Sequence, residues 1–289
     1  MASDTLRRSE ERLDDLQNHG LKIFQKKDGF RFGMDAVLLA HFCRPRPRDR
    51  VADLGTGTGI LPLLISRMEP TAHLIGIEWQ RPMAEMAERS VRLNSLQERI
   101  TILCDDYRNA PLVLGEASMQ GVVCNPPYGK RGGAIPSDTQ EHRLARHETA
   151  CALSETIAAC AALLCCLGRL WMAFPPERAL ELLDGLRAHR LEPKRIRMVY
   201  AKASKAPYLM LVEAVKHAKP ALLWLPPLIV YHEDGTETRE LVDLYAGRAH
   251  AQGLAAHRRQ VRQAKGTDSG RVTAETGEPD TVPSTERDG

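Results

Sequence analysis

The sequence has no apolar run of the roughly 18–20 residues that a membrane span requires. Its longest candidate, Cys151 to Leu167, is interrupted by Ser154, Glu155 and Thr156. From Arg7 to Asp15 the N-terminal stretch is charged and has no apolar core, so a signal peptide is not expected and a cytoplasmic location is. The seven cysteines are odd in number, contain no C-x-x-C pair and share no zinc-like spacing with histidine. A disulfide framework and a bound metal are therefore not expected, and the thiols read as small core residues. No G-x-x-x-x-G-K-[ST] occurs, which argues against a phosphate-cradling P-loop. Internal repeats, a zinc knuckle and an appended RNA-binding module are also lacking.

What is present suits one large α/β domain. At 289 residues and 43% hydrophobic content the chain can bury a sizeable core. Residues 1–15 read as a charged arm or solvated helix, 16–250 as the domain, and 251–289 as a polar tail. The end of that tail, from Lys265, has almost no large apolar side chains and cannot offset its ordering entropy, so it is expected to be disordered. The net charge of +3 is uneven: the stretch from Lys265 carries −3, leaving +6 on the rest. That excess fits a polyanionic partner without demanding one.

Short apolar runs at Val51–Leu54, Leu74–Ile77, Ile100–Leu103, Gly121–Cys124 and Arg169–Phe174 predict strands. Helix-like stretches alternate with them at Met34–Phe42, Ile60–Met68, Pro82–Asn94, Ala150–Leu167 and Pro176–His189. This alternation predicts a mostly parallel sheet covered on both faces. Ile196–Tyr200 and Tyr208–Val215 are too close for a helical crossover and should pair antiparallel, giving a seven-strand Rossmann-like sheet. The run Leu222–Tyr231 holds Pro226 and Pro227, and its form stays open.

Asp53-Leu54-Gly55-Thr56-Gly57-Thr58-Gly59 leaves the first of these strands and enters a helix. Glycines there let the backbone turn tightly and approach a ligand closely. The G-x-G-x-G spacing differs from the G-x-G-x-x-G of dinucleotide sites. Glu78, directly after the second strand, can accept both ribose hydroxyls of a nucleoside cofactor. After the third strand comes Asp105-Asp106; Asp106 is the first choice for an adenine amino group and Asp105 the second.

The fourth strand ends in Asn125-Pro126-Pro127-Tyr128. Two prolines stiffen the segment and make it offer carbonyls rather than N–H groups. A planar NH2 group needs acceptors in its plane, and the Asn125 side-chain oxygen and the Pro126 carbonyl can be those, with Tyr128 stacking on the flat face.

Together these motifs resemble the class I, seven-strand methyltransferases that modify amino or amide nitrogens. The stretch from Gln25 to Ala40 is further similar to the N-terminal signature of the bacterial tRNA N6-adenosine methyltransferases, which act on an adenosine beside the anticodon of valine tRNA. Arg146-His147-Glu148 and Pro226–Tyr231 also look like that family's pattern. The resemblance implies S-adenosyl-L-methionine as cofactor, S-adenosyl-L-homocysteine as product and no metal. It assigns Gln25, Phe32, Gly33 and Asp35 to the cofactor's methionine end. Gly55, Gly57 and Glu78 would hold its main chain and ribose, with Asp53 and Asn125 also at the cofactor and Asp106 at its adenine. Asn125, Pro126, Pro127 and Tyr128 would hold the target base.

The same tetrapeptide resembles that of protein-glutamine methyltransferases acting on release factors and that of DNA adenine methyltransferases. The former carry a helical domain before the glycine motif, whereas here fifty-two residues precede Asp53, which favours RNA. A non-catalytic cofactor- or RNA-binding protein is the reading from another class, opposed by intact cofactor and amino-holding elements. Candidate phosphate contacts are Lys130, Arg131, Arg143 and Arg146 in the long connection after Tyr128. Two more basic sets are Lys194, Arg195, Arg197, Lys202 and Lys205, and Arg44, Arg46, Arg48 and Arg50. The oligomeric state stays open.

Overall fold

The computed structural model describes residues 6–16, 20–27, 33–126 and 153–246. It opens with an antiparallel hairpin of β1 (Glu11–Asp15) and β2 (Lys22–Lys26), in which Leu13 pairs with Phe24. For Glu11–Asp15 this corrects the expected arm or solvated helix. Four of the five residues are charged and only Glu11 is buried, so no apolar alternation announces the strand.

The helix that follows Glu78's strand holds the hairpin. On α3 (Arg81–Leu93), Ser90 accepts the Phe24 N–H at 3.0 Å, and the Asn94 side chain beyond it both accepts from and donates to the Lys22 backbone. Arg89 forms a fork on buried Glu11 and lies over the Phe24 ring at 5.4 Å. Side chains of a helix thus satisfy backbone groups that a third strand would otherwise take.

The main sheet contains β3 (Arg50–Leu54), β4 (His73–Ile77), β5 (Ile100–Leu103), β6 (Met119–Cys124), β7 (Leu164–Phe174), β8 (Leu191–Tyr200) and β9 (Pro207–Lys216). Their spatial order is β8-β9-β7-β6-β3-β4-β5. All run parallel except β9, which is antiparallel to both β7 and β8. That is the expected seven-strand sheet. Two short strands, β10 (Leu223–Trp224) and β11 (Leu228–Ile229), extend it along β8. They occupy the run whose form was open, and the interruption between them falls at Pro226 and Pro227, which have no N–H to give a ladder.

The central strands are buried on both faces, which explains their near-continuous apolar sequences. On one face α1 (Met34–Phe42) and α2 (Ile60–Met68) share a core with Val51, Leu74 and Trp171. On the other, residues 153–163, which are helical, and α6 (Ala179–Ala188) pack on Ala52, Leu54 and Met172. Between these in sequence, α4 (Ala110–Leu114) is a short helix, the helical stretch 153–163 is counted as α5, and α7 (Arg239–Tyr245) packs Leu241 and Leu244 on the first core.

Three expectations need correction. The helix expected to reach Leu167 ends at residue 163, because the apolar run continues unbroken into β7 and no polar residue marks the change. The register slips there, with Met119 opposite Leu164 but Gly121 opposite Arg169, and Leu167 takes a φ of 60°. Strand β8 begins at Leu191 rather than Ile196; Pro193 disguised it, and the register shifts at that proline. Of the thiols expected in the core, Cys43, Cys124 and Cys160 are buried, but Cys104 and Cys166 are exposed.

Candidate active site

Strand register brings the motifs together. Leu54 pairs with Ile77 on one side and Cys124 on the other, and Ile77 pairs with Leu103. The next residues along each strand, Gly55, Glu78, Asn125 and the 104–106 turn, therefore leave the sheet at one carboxyl edge, where open α/β sheets bind ligands.

Gly55, Gly57 and Gly59 all have positive φ, at 76°, 57° and 84°. The Gly55 and Thr56 N–H groups both donate to the Ile77 carbonyl at 2.9 Å, which folds the loop back over β4. A Cβ placed on Gly55 or Gly57 would meet no atom within 4 Å, so the backbone faces open space there. Buried Glu78 accepts the Gly57 N–H on one carboxylate oxygen at 3.0 Å and the Gln80 N–H on the other at 2.9 Å. Each oxygen keeps a further acceptor position, the arrangement that two neighbouring hydroxyls require. Exposed Trp79 follows directly, an aromatic residue beside the carboxylate that the sequence reading passed over.

Asp53 is buried, and neither of its carboxylate oxygens has a hydrogen-bond partner among the described residues. Burial pushes its carboxyl up to about 7; the Thr56 hydroxyl opposes this without completing a hydrogen bond, and the charge of Glu78 adds to it. An orphaned buried carboxyl beside an open glycine loop fits a cationic, nucleoside-bearing ligand whose charge would favour its ionised form, and the donor and acceptor set fits S-adenosylmethionine.

The third strand end is more committed than its sequence suggested. The Asp106 carboxylate caps the turn by accepting the Arg108 N–H at 2.9 Å, and the Arg108 guanidinium grips it through Nε and Nη2. That guanidinium holds the Asp106 carboxyl below the usual carboxylate range. Asp105 uses Oδ1 for the Asp106 N–H and the Asn109 amide, while its Oδ2 accepts nothing among the described residues. Arg108 also reaches Glu155 on α5 at 3.3 Å, and the Tyr107 hydroxyl meets Thr156 at 2.9 Å. None of these partners was singled out in the sequence, because nothing local signals a contact across 47 or 49 positions.

Asn125 and Pro126 lie half-buried at the end of β6. Gln25 is buried on β2, and its amide donates to Asp14 at 2.6 Å. Gly33 caps α1 with an ordinary φ of −86°, and Asp35 stands half-buried in that helix's first turn. Phe32, Pro127, Tyr128, Lys130, Arg131, Arg143 and Arg146 lie outside the described residues. Of the other basic sets, Arg195 does not serve as a surface cation. It is buried, pairs with Glu213 at 3.0 Å and lies over the Phe42 ring at 4.7 Å. Arg46, Arg48 and Arg50 approach the amino end of β3, the edge opposite the crevice. Among the described residues no three His, Cys, Asp or Glu side chains gather as a metal site, and no helix is long and apolar enough to cross a membrane.

Residues 31–172 match the family model described as the methyltransferase small domain. That match covers just under half of the chain, and the fold around it is that of the class I, S-adenosylmethionine-dependent methyltransferases. The chain is similar to the tRNA1(Val) (adenine(37)-N6)-methyltransferase of Porphyromonas gingivalis, at 29% identity over 66% of this chain and 76% of that one. The protein of the same name from Tolumonas auensis is 27% identical over 77% of this chain and 91% of that one. Among solved structures, a predicted O-methyltransferase from Agrobacterium tumefaciens superposes with a TM-score of 0.62 at 24% identity, over 74% of this chain and 97% of that one.

Proposed function

We propose that this methyltransferase forms N6-methyladenosine in tRNA. The observation that carries the reading is the placement of Asn125 and Pro126 beside the glycine loop, on the strand next to β3. The names of the relatives from Porphyromonas gingivalis and Tolumonas auensis point to the same substrate. A tRNA substrate also implies work in the cytoplasm.

When bound, S-adenosylmethionine supplies an electrophilic methyl on a sulfonium. Asp53 would stand nearest its cationic end, the Gly55–Gly57 backbone would pack against it, and Glu78 would take its ribose hydroxyls. The Asn125 side-chain oxygen and the Pro126 carbonyl accept the two hydrogens of the target amino group, and Tyr128 stacks on the base. An exocyclic amine delocalises its lone pair into the ring, and two in-plane acceptors draw the nitrogen towards a tetrahedral, more nucleophilic geometry. The rate then comes from alignment and fixed dipoles rather than from a strong base. The base must leave its stack to reach Asn125, and Lys130, Arg131, Arg143 and Arg146 meet the phosphates around it. The catalytic domain takes in the β1–β2 hairpin and runs on to residue 250, and 251–289 is a polar tail.

The test is incubation with methyl-labelled S-adenosylmethionine and, separately, tRNA, rRNA, DNA and release factor, with Asn125→Ala as control. Labelled N6-methyladenosine from tRNA, absent with the variant, is the expected result. Label in release-factor glutamine or in DNA would replace the substrate, and no transfer to any pool would overturn the reading.

A further inference from the structure

The acceptor chosen for the cofactor's adenine amino group is already engaged. All four hydrogen-bond contacts to the Asp106 carboxylate come from Arg108, two on Oδ1 and two on Oδ2. The Nε–H is shared between the two oxygens, so three N–H groups engage the carboxylate's roughly four acceptor positions, and an amino hydrogen has to compete with this grip. The grip has an alternative, because Arg108 Nη1 is 3.3 Å from Glu155 Oε2. The helix turn that carries Glu155 is held in place, since the neighbouring Thr156 is buried and bonded to Tyr107, the residue between Asp106 and Arg108.

We propose that Arg108 is a positioning residue for the cofactor's adenine, closing Asp106 in the free protein and turning to Glu155 to expose it. The backbone N–H of Arg108 stays on Asp106 Oδ1 and keeps the carboxylate aimed, while the guanidinium leaves Oδ2 for the amino group. Arg108 then ties the adenine end of the crevice to α5, the helix that follows the connection carrying Tyr128. Its charge also decides which base is accepted. With Arg108 withdrawn, the pocket presents an anion, which suits a 6-amino group and repels a 6-oxo group. With Arg108 in place, it presents donors.

The inference rests on the cofactor reading of the crevice and not on the RNA substrate. Binding is measured by calorimetry with S-adenosylhomocysteine and with its 6-oxo analogue, S-inosylhomocysteine. Arg108→Gln should tighten S-adenosylhomocysteine about two- to fivefold, the worth of one exposed ion pair, and widen its preference over the 6-oxo compound. Arg108→Lys, which keeps the charge but not the fork, should fall between. Glu155→Gln, which removes the alternative partner, should weaken binding by a similar factor. In an Asp106→Asn background the effect of Arg108→Gln should vanish. An unchanged or weaker affinity in Arg108→Gln would overturn the proposal. So would Asp106→Asn binding as tightly as the parent, which would give the amino group to Asp105 Oδ2. A merely structural role for Arg108 would lower the melting temperature of the free protein without altering the preference between the two ligands. Failure of the parent protein to bind S-adenosylhomocysteine at all would remove the cofactor reading itself.

Discussion

A carboxylate that is buried with no partner is expensive, and Asp53 shows where the free protein carries that cost. Its carboxyl is pushed up to about 7, chiefly by burial, against an ordinary value near 4. Between those values the folded chain keeps the proton and the unfolded chain releases it, so raising the pH favours unfolding throughout that window and has no further effect above it. In the ligand-free protein, stability should fall from about pH 4 to about pH 7 through this residue, by a few kcal/mol at roughly 1.4 kcal/mol per unit. Asp53→Asn should flatten that slope and raise the melting temperature at pH 7–8, read from melts across pH. An unchanged slope would mean that another group sets it. Glu78 is the opposite case, a carboxylate in use on both oxygens. Glu78→Gln sets an amide N–H against a backbone N–H and removes one acceptor. S-adenosylhomocysteine affinity should drop about tenfold or more, the worth of one charge-assisted hydrogen bond, and the free protein should melt earlier, because a buried backbone N–H loses its acceptor.

The hairpin has its own anchor at the scale of elements. Burial alone would raise the Glu11 carboxyl, but Arg89 and the Arg8 backbone N–H outweigh it and hold the group below its usual range. Removing one member of a buried pair leaves the other uncompensated, a loss of about 3–5 kcal/mol where nothing relaxes. Arg89→Met should therefore free the hairpin locally. Amide exchange should rise across Glu11–Asp15 and Lys22–Lys26 while β3, β4 and β6 stay protected; uniform acceleration would instead mean global destabilisation. Charge density hid this hairpin from a sequence reading, whereas the parallel strands declared themselves because burial on both faces writes them as short apolar blocks. The site was legible for a related reason. Gly55, Glu78 and Asn125 directly follow such blocks, Asp53 is the last residue but one of its block and Asp106 stands three residues past the end of another, and parallel register alone puts block ends on one edge. What stayed hidden were pairings set by tertiary packing, namely Arg108 with Glu155, Tyr107 with Thr156 and Arg195 with Glu213. Two of these join different layers, and no local spacing encodes them.

For the whole molecule, the sheet separates two tasks along one edge. Strands β3, β4 and β5 end at the cofactor elements, β6 ends at Asn125, and β7, β9 and β8 continue on the far side of it. Positive charge has to be sorted against that axis before it can be assigned to RNA. Arg195 is spent on Glu213, and Arg197 pairs with Glu240 at 2.6 Å. Lys202 donates to the Glu233 carbonyl, in a turn that also carries the Glu233 and Asp234 carboxylates. Arg46 and Arg48 are exposed but belong to the opposite edge. Of the set around β8, exposed Lys205 in the turn after that strand stays available on the carboxyl edge, and the expectation for a polyanion at Asn125 itself falls on Lys130, Arg131, Arg143 and Arg146. Phosphate contacts position RNA without reading it, so removing them should weaken binding without touching the chemical step. Lys130→Ala with Arg131→Ala should raise the KM for tRNA and leave kcat and S-adenosylhomocysteine affinity unchanged. The slope of log KM against log salt should lessen by about one per contact removed. Arg46→Ala with Arg48→Ala should alter neither quantity. If the second pair changes the salt slope and the first does not, the phosphate contacts belong to the amino edge and their assignment to Lys130 and Arg131 fails.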